Sequence, residues 1–108
     1  MSQTPEGIVK KKVKKVLNEY KAYYFMPVQN GMGAPALDFH CICNGVGFCI
    51  ETKAPGKKPT ARQAATILKI SAAGGKCFVI DGDESLQELR EWLVLVHLAT
   101  GGEHGLSD

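Results

Sequence analysis

Residues 37–53 read LDFHCICNGVGFCIETK, and the reading of this stretch decides the fold. Asn44-Gly45 lies between two largely apolar runs, which is the strongest short-range signal of a β-hairpin. With a two-residue type I′ loop, Cys43 pairs with Val46, and each step outward keeps the paired residue numbers summing to 89. Phe39, Cys41, Cys43, Val46, Phe48 and Ile50 then share one apolar face, which belongs to the core. The other face carries Asp38 directly opposite Glu51, with Lys53 on the same side and diagonal to Asp38.

Working upstream, Thr4-Pro5-Glu6 has the chemistry of a helix start: an N-cap, a proline in the first helical position and an acid in the first turn. Val9, Val13, Val16, Leu17 and Tyr20 recur at helical spacing, so an amphipathic helix is predicted to about Tyr20. Residues 22–28, with Tyr23-Tyr24-Phe25, predict a strand, and residues 29–35 a functional loop rich in turn formers.

Downstream, residues 54–59 form a second loop, and Thr60 with Gln63 makes a capping box for a helix to about Ala73, ended by Gly74-Gly75. Lys76 to Ile80 is a short strand, Asp81-Gly82 a turn, and Ser85 to about Ala99 a last helix. Leu86, Leu89, Trp92, Leu93, Leu95, Val96 and Leu98 cannot share one stripe, so that helix is expected to be buried on more than one side. A second copy of the chain is one source of the extra surface, a wholly intramolecular core the other. The order α-β-β-β-α-β-α is an α/β pattern with a mixed sheet, in one domain over residues 1–100 followed by a flexible glycine-rich tail, 101–108.

At 108 residues and 44% hydrophobic, the chain has material for one core and no second one. It contains no run of about twenty apolar residues, which argues against a membrane span, and its lysine-rich start is no secretory leader, so a cytosolic location is expected. Cys41, Cys43, Cys49 and Cys77 are then free thiols; no Cys-x-x-Cys supports zinc, and Cys41 and Cys43 read as small buried hydrophobes. The net charge of +2 is modest, but Lys10, Lys11, Lys12, Lys14 and Lys15 supply five of the thirteen basic residues within six positions. Such a cluster serves either as a solvated helix face or as an electrostatic grip on phosphates.

Two opposed carboxylates destabilise a strand pair unless something positive sits between them. Lys53 alone is one candidate, as a structural ion pair. Magnesium or manganese is the other, because these ions prefer hard oxygen ligands and are often held by one or two carboxylates plus waters and phosphate oxygens. Beside such an ion, Lys53 would position or help deprotonate an attacking water, or neutralise charge on a phosphodiester.

Asp38 followed by Glu51-Thr52-Lys53 resembles the acid…Glu-x-Lys core of PD-(D/E)XK nucleases. Glu6, Gly33, Pro35, Ile50-Glu51-Thr52-Lys53, a Gly/Lys/Pro loop and then Gln63 follow the order of the VRR-NUC branch, over roughly residues 6 to 82. The resemblance implies a restriction-endonuclease-like core. It implies Glu6, Asp38, Glu51 and the Thr52 carbonyl as ligands of Mg2+ or Mn2+, and Asp38, Glu51, Lys53 and Gln63 as the catalytic set. Leu37, with Pro35 two positions earlier, departs from a proline adjacent to the acid and affects loop geometry more than chemistry. Gln63 also reads as the capping-box residue, and Glu6 as an acid favoured by the helix dipole. His40, on the site face beside Cys49, reads as structural though within reach of substrate.

The expected activity is a metal-dependent DNA endonuclease, with Lys10, Lys11, Lys14, Lys57, Lys58 and Arg62 gripping the backbone. No zinc finger, helix-turn-helix or specificity domain is evident, so branched or flapped DNA is expected as the substrate instead of a sequence motif. Short members of the family resemble Holliday-junction resolvases, which implies a homodimer, and so compact a form implies a viral source acting in the host cytoplasm. The alternative is a non-catalytic nucleic-acid-binding module in which Asp38, Glu51 and Lys53 form an ion-pair cluster. A cysteine nucleophile is disfavoured, because no cysteine is placed near an evident base and orienting acid.

Overall fold

Asparagine and glycine tolerate positive φ better than other residues, and a type I′ turn demands it twice. In the computed structural model, which describes residues 3–28 and 35–101, Asn44 and Gly45 adopt φ of 49° and 83°. The chain runs α1 (Pro5–Glu19), β1 (Tyr23–Phe25), β2 (Phe39–Cys43), β3 (Val46–Thr52), α2 (Ala61–Ala72), β4 (Lys76–Ile80) and α3 (Asp83–Ala99). The hairpin register is the predicted one, from Cys43 opposite Val46 to Phe39 opposite Ile50.

The sheet is mixed, with order β1-β2-β3-β4; β1, β2 and β3 are antiparallel neighbours, and β4 joins β3 in parallel after the α2 crossover. One sheet face packs Phe39, Cys41, Phe48, Ile50, Phe78 and Ile80 against Val9, Val13, Val16 and Leu17 of α1 and Leu86, Leu89 and Leu93 of α3. Phe48, Phe78 and Trp92 meet edge to face within 5.0–6.3 Å, which fixes α3 over β3 and β4. Among the described elements, α2 covers the other face. This is the α/β class and element order that the sequence predicts.

Boundaries differ where local chemistry intervenes. β1 stops at Phe25, short of the predicted residue 28, because Pro27 has no N–H for a ladder. The last helix starts at Asp83, two residues early, since Asp83 and Glu84 suit the first turn and the Ser85 hydroxyl accepts from the Asp81 N–H (3.0 Å). Only one side of α3 is buried within the chain; Val94, Leu95 and Leu98 are 43%, 62% and 72% exposed, so the expectation of burial on several sides is not met by a single copy. Most of the predicted 29–35 loop and the tail from residue 102 lie outside the described residues.

Candidate active site

Where the hairpin ladder ends, its strands deliver polar side chains to one edge of the sheet. Asp38 sits in a bend one residue before β2, and its Oδ2 accepts from the Thr52 N–H (3.0 Å) and the Thr52 hydroxyl (2.6 Å). Next to it Glu51 is 2% exposed, pointing to the α2 face opposite Ile50.

Gln63 joins the elements. Its Oε1 accepts from the Thr60 N–H (2.9 Å) and from Lys53 Nζ (3.1 Å), while its Nε2 donates to Glu51 Oε2 (2.8 Å). The Thr60 hydroxyl in turn accepts from the Gln63 N–H, completing the capping box. The capping-box reading of Gln63 holds, and the box that starts α2 also locks the amide between Glu51 and Lys53.

Glu51 is not fully satisfied within the fold. Its Oε1 is buried with no hydrogen-bond partner. Burial first, then the Asp38 carboxylate and more weakly Glu6, push its pKa up to about 7, against the Asp38 backbone N–H and Lys53. Lys53 forms no ion pair within 4 Å of Asp38 or Glu51; among the described residues such pairs are Lys10–Glu6, Lys12–Asp83 and Arg90–Glu19. The ion-pair cluster of the binding-module alternative is therefore not formed: Lys53 turns to Gln63 and pairs directly with neither acid.

The structure thus gathers Asp38, Glu51, Thr52, Lys53 and Gln63. Glu6 stands close enough to act on Glu51, but its carboxylate lies 3.5 Å from Lys10. No group of three His, Cys, Asp or Glu side chains among the described residues is assembled tightly enough to hold a metal ion. The donor set that does converge, two carboxylates with one buried oxygen unpartnered, suits a hard divalent cation that brings its remaining ligands with it.

Of the residues predicted to grip DNA, Lys11, Lys57, Lys58 and Arg62 are exposed, whereas Lys10 and Lys14 are half-buried and Lys10 is paired with Glu6. Lys57, Lys58 and Arg62 flank Lys53 and Gln63 on the loop and first turn of α2. Asp81 anchors that loop by accepting from the Gly56 N–H (3.2 Å). Neither this role nor that of the Thr52 hydroxyl has a motif that marks it; the Asp81-Gly82 turn signal is the nearest hint.

All four cysteines are free thiols. Two lie beside histidines: Cys49 Sγ is 3.9 Å from His40 Nδ1, the neighbour that the predicted register gives it, and Cys43 Sγ is 3.6 Å from His97 Nε2, which the sequence did not indicate. Burial nonetheless raises the pKa of both thiols, and that of Cys41 to about 12, which keeps them protonated at neutral pH and poor as nucleophiles.

A solved structure described as a VRR_NUC domain matches with a TM-score of 0.73, at 24% sequence identity, over 82% of this chain and 96% of that one. No protein-family model and no curated protein matches the chain. The structural likeness establishes a restriction-endonuclease-like α/β fold, a mixed sheet flanked by helices in the order found here. No helix among the described residues is long and apolar enough to cross a membrane.

Proposed function

We propose that the chain is a metal-dependent endonuclease that hydrolyses DNA phosphodiester bonds, structure-specific for branched or flapped DNA of the Holliday-junction or flap type. The observation that carries this reading is Glu51: a buried carboxylate with an unpartnered oxygen beside a second carboxylate, while the nearest lysine is turned elsewhere. A structural cluster closes its own hydrogen bonds; this one leaves a buried carboxylate oxygen without one. The shared fold with a VRR_NUC domain supports the same reading.

Asp38 and Glu51 would hold magnesium or manganese, with Glu6 and the Thr52 carbonyl as further ligands. When bound, the ion supplies Lewis acidity next to the scissile phosphate. Thr52 orients Asp38 through two hydrogen bonds to one oxygen. Gln63 orients Glu51 and fixes the Lys53 ammonium, whose other N–H donors face a phosphate oxygen or the attacking water. Lys57, Lys58 and Arg62, with Lys10, Lys11 and Lys14 on α1, contact the backbone without reading sequence. Two chains meeting through Val94, Leu95 and Leu98 would pair two such sites, and sedimentation of a Leu98→Glu variant as a monomer beside a dimeric wild type tests that arrangement.

The decisive assay is cleavage of labelled four-way junction, flap, single-stranded and linear duplex DNA with magnesium, manganese or EDTA. Metal-dependent cutting of branched DNA is expected, with a loss of at least about a hundredfold in Lys53→Ala and Asp38→Ala. Intact DNA under every condition, with binding unchanged in both variants, would replace the nuclease by a binding module.

A further inference from the structure

The sheet face under α2 is organised in rows that run across the strands. One row holds Asp38 and Glu51, just past the last pair of the ladder; the next holds Phe25, His40 and Cys49, and the third Tyr23, Ile42 and Gly47, these two set by direct register. Around the second and third rows, with Ile70 of α2 as a wall, lies an open groove of about 440 Å³. This is within the range of ligand sites, ~300–1,000 Å³.

The groove is aromatic and apolar, and among the described residues no carboxylate lines it. Tyr23 and Phe25 are 68% and 48% exposed on an edge strand, while Tyr24 between them packs into the core. The Phe25 ring stacks on His40 at 5.7 Å and 16°, and His40 Nε2 is buried without a hydrogen-bond partner. Gly47 keeps the groove floor open for no backbone reason: an added Cβ would meet only the Cys41 carbonyl at 3.8 Å, an ordinary contact.

We infer that this groove is a docking platform for an unpaired nucleobase of the DNA substrate, stacked on Phe25 and His40 one nucleotide away from the phosphate that would meet the cation of Asp38 and Glu51. The inference rests on the nuclease reading and names how the substrate is recognised. Neighbouring rows on one face are two residues apart, ~7 Å, about the step between phosphates of an extended strand. A nucleobase is the planar, apolar-faced group that arrives covalently attached to such a phosphate. Inside a duplex its faces are covered by neighbouring pairs, so away from a blunt end only an unpaired base can offer one to Phe25. Selectivity for flaps or open junctions follows without any base-specific contact.

The test measures DNA affinity with magnesium in a Lys53→Ala background, which blocks cleavage. The probes are a blunt duplex, the same duplex with a single-stranded flap, and that flap with abasic sugars in place of its bases. Phe25→Ala removes the platform; Gly47→Val fills the groove at a position where a side chain fits. The flap is expected to bind about tenfold more tightly than the abasic flap, both variants to lose that advantage, and duplex affinity to stay unchanged. Equal binding of base-bearing and abasic flaps, or equal loss on duplex and flap, overturns the platform. So does a change in sedimenting mass in either variant, which would make the groove a contact between chains. If the wild-type chain still cuts DNA in those cases, the nuclease reading survives; if it cuts nothing, that reading falls and takes the platform with it.

Discussion

The two ends of the β2–β3 hairpin each carry a polar cluster, and they are built on opposite terms. At the turn, Asn44 Nδ2 donates to His97 Nδ1 and to the Thr100 hydroxyl, both at 3.2 Å, and His97 Nε2 lies 3.2 Å from the Tyr20 carbonyl. A single tautomer, with the proton on Nε2, satisfies the whole set and ties the end of α3 to the hairpin and to the end of α1. At the open end, Glu51 Oε1 has no hydrogen-bond partner, and Lys53 is bonded to Gln63 instead of pairing directly with either acid. Polar groups that complete one another serve cohesion. Those left incomplete in a buried position cost stability, and they persist where something from outside completes them.

Glu51→Gln puts this contrast under the greatest strain. The substitution keeps shape and one acceptor but removes the charge, so metal-dependent cleavage should fall by at least about a hundredfold. Stability should move the other way. The folded carboxyl holds its proton up to about pH 7 and an unfolded glutamate releases it near 4.5, so the folded state binds more protons between those values. Wild-type stability therefore falls as pH rises through that window, and the cost of about 3 kcal/mol is constant above it. Denaturant unfolding in EDTA should find the variant more stable at pH 8 and no more stable at pH 4, with magnesium narrowing the gap at pH 8. A variant less stable at pH 8 would mean that the open end is cohesive after all.

Asn44→Ala probes the other end. It removes two side-chain hydrogen bonds and places alanine at φ 49°, so unfolding should become easier by about 2 kcal/mol, with cleavage by the folded protein unchanged. A large loss of cleavage at full folding would couple the two ends and erase the distinction between them. The same residue shows why the fold was legible. Asn44-Gly45 fixes turn type, turn type fixes register, and register alone places Glu51 next to Asp38 and opposite the core residue Ile50. Thr60 and Gln63, three apart, likewise encode both the start of α2 and the amide that reaches Glu51. What escaped the sequence depends on side-chain direction: that Lys53 turns to Gln63 and not to the acids, that Asp38 spends one oxygen on Thr52, and that Tyr23 and Phe25 stand exposed. Alternation gives a face, not a partner. Nor does the pattern of α3 reveal which apolar residues the chain itself covers, because Leu93 and Leu95 differ only in where the other helix lies.

Thr52→Val should have the smallest effect, and it sharpens the comparison from within the open end. The Thr52 hydroxyl donates a 2.6 Å hydrogen bond to Asp38 Oδ2 from a side chain with no exposure, while the Thr52 N–H keeps its own bond to the same oxygen. Valine fills nearly the same space, so the loss is one buried hydrogen bond to a charged group, about 1–3 kcal/mol. Asp38 would then be held by one bond instead of two, its carboxylate less firmly aimed, and the magnesium concentration for half-maximal cleavage should rise several-fold while the rate at saturating magnesium stays within a few-fold of wild type. That split is what an orienting group outside the reaction produces: weaker assembly of the site, the same chemistry once assembled. Should the saturated rate collapse instead, Thr52 acts on the reacting atoms themselves, and the satisfied half of the open end belongs with its chemistry and not with its support.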